Sequence, residues 1–167
     1  AVILPLFPKG SWVGLLRDSK QMTPAQRQWV FPRLRTEALA LGVGSSSPRE
    51  VDKLGIVPAT RLAMQRALGR LPLLPQFLLL DALALPDVPI PQKAIIHGDA
   101  LCLSIAAASI AAKVTRDGIM EEEDAKHPGY GFARHKGYGT KEHLGNLEHL
   151  GPCPIHRYSF ARVKDWK

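Results

Sequence analysis

The short apolar segment 77–81 places the strongest constraint on the fold. Its sequence, FLLLD, does not alternate apolar with polar residues, and it ends in a carboxylate. A run of this kind is typical of a strand buried on both faces, in a sheet that helices cover. The Ala-rich segment 104–126 predicts a long helix whose small side chains allow close packing. The sequence therefore predicts an α/β fold, with Asp81 at the carboxyl end of a strand.

Capping signals locate most of the other helices. Thr23, followed by proline, predicts a helix towards Ala40, and Pro32 predicts a kink or break inside it. The segment SPRE at 47–50 is a capping box that opens a short helix, and Thr140 caps a last helix over 141–150. Further segments predict strands at 1–4, 41–46 and 94–96, a helix over 58–70 and an irregular loop over 127–140.

Composition indicates an ordinary globular protein. The 167 residues, 46% of them hydrophobic, are enough for one domain over 1–167 with a substantial core. No apolar stretch approaches the roughly 20 residues that a membrane span needs, so we expect no membrane segment. The only cysteines, Cys102 and Cys153, are too far apart for a metal motif and predict free thiols in a reducing compartment.

Positive charge is concentrated in the tail that begins at Lys126. The whole chain carries a formal charge of +7, and residues 126–167 contain eight basic against three acidic side chains. Such a tail favours a polyanionic partner, which it would bind in a strongly salt-dependent manner. A merely solvated basic surface explains the charge equally well.

Two carboxylates, Asp81 and Asp117, could serve as ligands of a hard cation. Asp81 ends the apolar strand and Asp117 lies on the Ala-rich helix; Mg²⁺ or Mn²⁺ prefers such oxygen ligands. A turn cap at Asp81 and a surface ion pair at Asp117 are the simpler alternatives. Lys113 and Arg116 lie on or beside the face of Asp117, where they either form salt bridges or neutralise phosphate charge.

The loop YGFARHKGYGT at 130–140 combines glycines, tyrosines and cations. Glycines allow backbone to approach phosphates, Lys136 can neutralise them, and Tyr138 can pack on a sugar or base. A plain surface loop is the competing interpretation. The loop is not a P-loop, and the six histidines show no zinc-finger spacing.

Several ordered motifs together resemble ribonuclease HII. They are DSK at 18–20, LGVGSSSPREVDKLGI, the strand that ends in Asp81, HGDALCLSIAAASIAAKVTRD, YGFARHKGYGTKEHL and GPCPIHRYSF. The resemblance implies an RNase H-like mixed sheet flanked by helices, with a C-terminal extension of helix and loop. It also implies an endonuclease that cleaves the RNA strand of RNA–DNA hybrids and acts on single ribonucleotides embedded in duplex DNA, by a two-metal mechanism with Mg²⁺ or Mn²⁺.

The resemblance assigns roles to individual residues. Asp81 and Asp117 resemble the third and fourth family carboxylates, both catalytic metal ligands. Lys20 resembles the lysine near the scissile phosphate, and Tyr138 the tyrosine that packs on the sugar at the RNA-to-DNA junction. The expected nucleic-acid contacts are Lys20, Lys113, Arg116, Lys136 and Tyr138. The expected setting is the cytoplasm and ribonucleotide excision repair, with no obligate protein partner.

The sequence departs from the family pattern in three places. The first family strand, with its Asp-Glu pair and Gly-Arg-Gly turn, has no counterpart, so we expect the chain to be N-terminally incomplete and impaired or inactive. Ala82 stands where the family usually has glycine, and Leu101 where it usually has lysine. The alternative hypothesis is a basic nucleic-acid-binding module without catalysis, which uses Lys136, Tyr138 and the C-terminal cations.

Overall fold

The structure is a computed structural model that describes residues 1–166. Lys167, one of the basic residues of the tail, lies outside the described residues. The described chain contains four short strands and seven α-helices: β1 (Val2–Ile3), α1 (Pro24–Glu37), β2 (Ala40–Leu41), α2 (Pro48–Leu54), α3 (Ile56–Leu68), β3 (Leu78–Asp81), β4 (Gln92–Ile95), α4 (Gly98–Leu101), α5 (Leu103–Lys126), α6 (Phe132–His135) and α7 (Lys141–Leu150). Two 3₁₀ turns, Val13–Leu15 and Lys164–Trp166, complete the list.

The chain divides into two compact units. The first contains residues 1–45 and 61–114, and the second contains 46–60 and 115–167. Helix α5 contributes residues to both units. The expectation of one domain over 1–167 stays a prediction.

Three helices start where the sequence predicts, whereas the helix predicted over 58–70 is α3, Ile56–Leu68. Thr23 and Ser47 each form a complete capping box with the glutamine or glutamate three residues later, and the Thr140 hydroxyl accepts the His143 amide at 3.2 Å. Each cap satisfies backbone N–H groups that a helix start leaves without partners. These signals are local, which is why the sequence alone identifies them.

Of the kink or break predicted at Pro32, the break does not occur, and the kink stays a prediction. Helix α1 continues through the proline to Glu37, although proline removes one backbone hydrogen bond. Val30 and Leu34, on either side of it, are fully buried in the core of the first unit. Burial of that face stabilises the helix by more than the lost hydrogen bond costs.

The strands pair in two separate two-stranded sheets. β1 pairs with β2 antiparallel, and β3 pairs with β4 parallel, with Asp81 opposite Ile95. Both pairing directions of the expected mixed sheet are therefore present. The expectation that segment 77–81 is buried on both faces is wrong, because β3 alternates: Leu78 and Leu80 are buried, while Leu79 is 40% exposed. Among the described strands, β3 has β4 as its one partner.

The core of the first unit is built from α1, α5 and the segment before α1. Small side chains of α5, including Ala107 and Ala111, pack with Trp12, Val30 and Leu34, all nearly fully buried. A smaller cluster under β3 contains Leu78, Leu80 and Leu85. The core of the second unit contains Tyr130, Phe132 and Cys153.

Candidate active site

Asp81 stands at the carboxyl end of β3 with its side chain exposed. Its Oδ1 accepts a hydrogen bond from the Gly98 amide, at the start of α4, at 3.1 Å. Gly98 is buried, and a Cβ added there would lie 2.6 Å from Cδ1 of Ile105. The close packing of Gly98 therefore fixes the amide that orients the Asp81 carboxylate.

The turn after Asp81 has an unusual backbone. Ala82 adopts a positive φ of 60°, and its amide donates to the Ile95 carbonyl at 3.0 Å. Glycine reaches this left-handed conformation without strain, whereas alanine does not. The position at which the family usually has glycine is thus one whose conformation favours glycine.

Lys20 lies in a tightly held turn of the first unit. The Lys20 amide donates to Oδ1 of Asp18 at 2.9 Å, and the Ser19 hydroxyl bonds that of Ser109 on α5 at 2.8 Å. The buried guanidinium of Arg27 donates to the carbonyls of Ser19 and Met22. These hydrogen bonds hold the backbone of the turn, while the Lys20 side chain is exposed.

The second unit brings Arg116, Lys136 and Tyr138 together. Arg116 donates from Nη2 to the Lys136 carbonyl at 2.7 Å, and its guanidinium lies 4.8 Å from the centre of the Tyr138 ring. Nη1 of Arg116 is buried and has no acceptor among the described residues. Tyr138 itself is 57% exposed. Arg116 thus supports the loop and the tyrosine, which leaves much of the tyrosine ring open to solvent.

Several cations of the basic tail are engaged in ion pairs within the second unit. Lys136, whose side chain is only 15% exposed, binds Glu121 of α5. The other pairs are Lys126 with Glu123 and Arg134 with Glu142. The Arg134 guanidinium lowers the pKa of the Glu142 carboxyl. The predicted phosphate contact of Lys136 stays a prediction, since in this structure its charge already has a partner.

Asp117 and Lys113 both lie on α5 and are partly buried. Asp117 belongs to the second unit with Arg116, Lys136 and Tyr138; Lys113, Lys20 and Asp81 belong to the first. The metal-ligand role of Asp117 and the phosphate contact of Lys113 remain predictions. Among the described residues, no group of three or more His, Cys, Asp or Glu side chains is arranged to hold a metal ion.

Asp81 is the type of ligand that a hard divalent cation prefers, but one carboxylate is too few ligands to hold the ion. Asp81 offers a carboxylate of which one oxygen is held by Gly98, and its other oxygen has no hydrogen-bond partner among the described residues. Carboxylate oxygens are preferred ligands of Mg²⁺ and Mn²⁺, which need more ligands than one. Asp81 can thus supply one ligand, and the rest of the set must come from other groups.

The structure shows three supporting contacts that the sequence did not predict. Gly98 orients Asp81, Arg116 supports Tyr138, and a group of buried histidines lies beneath the 136–139 segment. The histidines were visible in the sequence only as candidate zinc ligands with the wrong spacing. Their contacts are with backbone atoms, which sequence spacing does not reveal.

Comparisons with known proteins agree with this fold. The family model for ribonuclease HII matches residues 14–163. Ribonuclease HII of Dehalococcoides mccartyi strain 195 is 51% identical over 164 residues, 98% of this chain and 78% of that protein. Ribonuclease HII of Desulfitobacterium hafniense strain Y51 is 54% identical over 149 residues, 89% of this chain and 57% of that protein.

A solved structure shows the same architecture. The crystal structure of the ribonuclease H2 from Pyrococcus horikoshii OT3 superposes with a TM-score of 0.72 at 25% identity, covering 92% of this chain and 80% of that chain. The α/β architecture with an RNase H-like fold is thereby confirmed. The class is that of type II ribonucleases H, which are endonucleases. This chain belongs to the ribonuclease HII family.

No helix among the described residues is both long enough and apolar enough to cross a membrane. Both cysteines are free thiols, as the sequence predicts.

Proposed function

We propose that this protein hydrolyses the RNA strand of RNA–DNA hybrids and cuts DNA duplexes at single embedded ribonucleotides. The observation that carries the proposal is family membership over residues 14–163. Cleavage at embedded ribonucleotides would place the protein in ribonucleotide excision repair, and we propose the cytoplasm as its location.

Asp81 and Asp117 are the proposed metal ligands and catalytic carboxylates within these residues. The hydrogen bond from the Gly98 amide holds one oxygen of Asp81 and leaves the other for a cation. Mg²⁺ or Mn²⁺, when bound, would activate a water and stabilise the leaving 3′-oxygen.

The remaining proposed contacts bind the nucleic acid. Lys20 is exposed on a turn that the buried Arg27 fixes, so its ammonium is placed with little backbone freedom. The exposed Tyr138 ring, supported by Arg116, presents a flat surface on which a sugar or base can pack. Lys113, Arg116 and Lys136 would add positive charge near phosphates.

The test is cleavage of a DNA duplex that carries one ribonucleotide, with Mg²⁺ or Mn²⁺. The proteins compared are residues 1–167 by themselves and the same residues preceded by a strand of the family pattern, with its Asp-Glu pair and Gly-Arg-Gly turn. Asp81→Asn and Asp117→Asn are made in the extended protein, with the exposed Asp87→Asn as the matched control. We expect strong cleavage by the extended protein and by the control, and none by the other two variants.

For residues 1–167 by themselves we expect weak or no cleavage, since their sequence contains no counterpart of the Asp-Glu pair. An extended protein that binds the duplex but never cuts it would overturn the catalytic proposal and favour the non-catalytic binding module. Cleavage that survives Asp81→Asn at full rate would overturn the role of that carboxylate.

A further inference from the structure

Three buried histidines form one cluster in the second unit. His135, His143 and His156 are each no more than 8% exposed, and they surround the fully buried Phe132. The rings of His135 and His143 stack at 4.3 Å, and Nε2 of His143 lies 3.2 Å from Nε2 of His156. We call these three residues the histidine cluster.

Backbone partners fix the proton positions on two of the rings. The Gly137 amide can only donate, so Nδ1 of His135 accepts at 3.2 Å and Nε2–H donates to the Tyr130 carbonyl at 2.8 Å. The Tyr138 carbonyl can only accept, so His143 donates to it from Nδ1–H at 3.0 Å. His135 is therefore the Nε2–H tautomer and neutral His143 the Nδ1–H tautomer.

The third ring completes the chain of hydrogen bonds. Nδ1 of His156 accepts the Cys153 amide at 3.0 Å. The Cys153 carbonyl, at 3.3 Å from the same nitrogen, already receives the His156 amide at 2.9 Å. Nε2–H of His156 is then free to donate to the bare Nε2 of His143. Every ring nitrogen of the cluster then has a hydrogen-bond partner.

The hydrogen bonds of this arrangement disfavour an added proton on His143 or His156. On His143 it would oppose the N–H of His156. On Nδ1 of His156 it would oppose the Cys153 amide, although Sγ and the carbonyl oxygen of Cys153 lie 3.2 and 3.3 Å from the same nitrogen. Burial lowers the pKa of both His143 and His156, and it outweighs the backbone groups of Tyr138 and Cys153, which raise it.

Most of the cations around the cluster also disfavour an added positive charge. His127 and Arg157 also disfavour a second positive charge at His156, and Arg134 and Lys136 flank His135 in the chain. Of the nearby carboxylates, Glu123 contacts Lys126 and His127, and Glu142 binds Arg134 and also interacts with His135. The cluster is therefore stable as a neutral unit.

The neutral cluster holds two successive backbone groups of the 136–139 segment. His135 accepts the Gly137 amide and His143 donates to the Tyr138 carbonyl. The segment needs such support, because Lys136, a non-glycine residue, has a positive φ of 51°. Tyr138 extends from this held backbone into solvent.

We propose that the histidine cluster positions Tyr138 for nucleic acid and releases it when the cluster is protonated at mildly acidic pH. This inference rests on the proposed function, in which Tyr138 packs on the substrate. His135, His143 and His156 are positioning residues: they act on the substrate only through the backbone of the segment that carries the tyrosine.

The first test needs no nucleic acid. Nitrogen-15 NMR of the histidine rings, at pH 7.5 on the full chain, reports which nitrogen of each ring carries the proton. We expect Nδ1–H on His143 and Nε2–H on His135 and His156, with all three rings neutral. The opposite tautomer on His143, or a charged ring in the cluster, overturns the inference whatever the protein binds.

The second test measures binding of the single-ribonucleotide duplex by fluorescence anisotropy, with a metal chelator to prevent cleavage. Tyr138→Ala should weaken binding roughly 5- to 150-fold, the range for loss of an aromatic stacking surface. His143→Leu should weaken it to a similar degree, and the double variant no further. His143→Asn, whose amide can still donate to the Tyr138 carbonyl, should bind close to the unmodified chain. His149→Leu, exposed on the same helix, is the matched control.

The pH dependence separates positioning from a general loss of structure. Both proteins gain positive charge at low pH, so the ratio of their affinities, unmodified chain over Tyr138→Ala, removes this general effect. The ratio should fall towards one as the pH is lowered from 7.5 to 5. A constant ratio overturns the inference. If Tyr138→Ala binds normally at every pH, the proposed contact of Tyr138 is wrong; if only His143→Leu binds normally, the contact stands and the positioning role is wrong.

Discussion

Gly98 lies at a point where the structure has no room for one additional carbon. A Cβ at this position would lie 2.6 Å from Cδ1 of Ile105, while the next nearest atoms, Cγ2 of Ile105 and Cβ of Ile95, are at 3.5 Å. The first distance is a severe overlap, and the second is ordinary contact. The obstacle to Gly98→Ala is therefore a single methyl group, which Ile105→Val removes.

The magnitudes follow from this geometry. Gly98→Ala alone should lower the free energy of unfolding by about 1–3 kcal/mol, the cost of overpacking a buried site. Ile105→Val alone should lower it by about 0.5–1.5 kcal/mol, because Ile105 is only 5% exposed. When Ile105→Val is already present, Gly98→Ala should be close to neutral, since alanine relieves the conformational cost of glycine in a helix.

The assay is urea unfolding of the four proteins of this double-mutant cycle. The expected signature is a favourable coupling of roughly 1–3 kcal/mol between the two substitutions. Because the Gly98 amide orients Asp81, the extended protein carrying Gly98→Ala should also lose cleavage, and Ile105→Val should restore part of it. A Gly98→Ala substitution that is equally damaging with and without Ile105→Val would refute the assignment of the clash to Cδ1 of Ile105.

Three further predictions concern stability. Ala82→Gly should raise the free energy of unfolding by about 1 kcal/mol because it removes strain at positive φ, whereas the control Ala84→Gly should not; equal effects in urea unfolding would contradict the argument. Asp52→Asn should lower it by about 1–3 kcal/mol, because the Asp52 carboxylate accepts the amides of Tyr158 and Ser159 at 3.0 and 2.8 Å; an unchanged urea midpoint would contradict this. The pKa values of His143 and His156 are lowered in the folded state, so the neutral forms of these histidines stabilise the fold. Their contribution to the free energy of unfolding is complete above about pH 6.5, the ordinary pKa of histidine, and is lost as the pH falls below it. Urea unfolding at pH 7.5 and 5.5 should show the difference, and His143→Asn should reduce it; a protein equally stable at both values would count against the cluster.

Local signals account for what could be predicted of the fold. Thr23, Ser47 and Thr140 cap helices through bonds that span three residues, so their effect is written in the sequence around them. The helix is not broken at Pro32 because distant core residues stabilise it. The burial of β3 was also misjudged, because the exposure of Leu79 depends on which elements cover the strand.

The family and the α/β class could be predicted from the sequence, because ordered motifs and apolar patterns are properties of the chain; Asp81 and Asp117 stay predicted metal ligands. Three contacts became visible in the folded chain: Gly98 orients Asp81, Glu121 binds Lys136, and the histidine cluster holds the Tyr138 backbone. Those contacts join residues whose side chains meet backbone or side-chain atoms of other elements. Their geometry arises when the elements pack, and no spacing in the sequence encodes it.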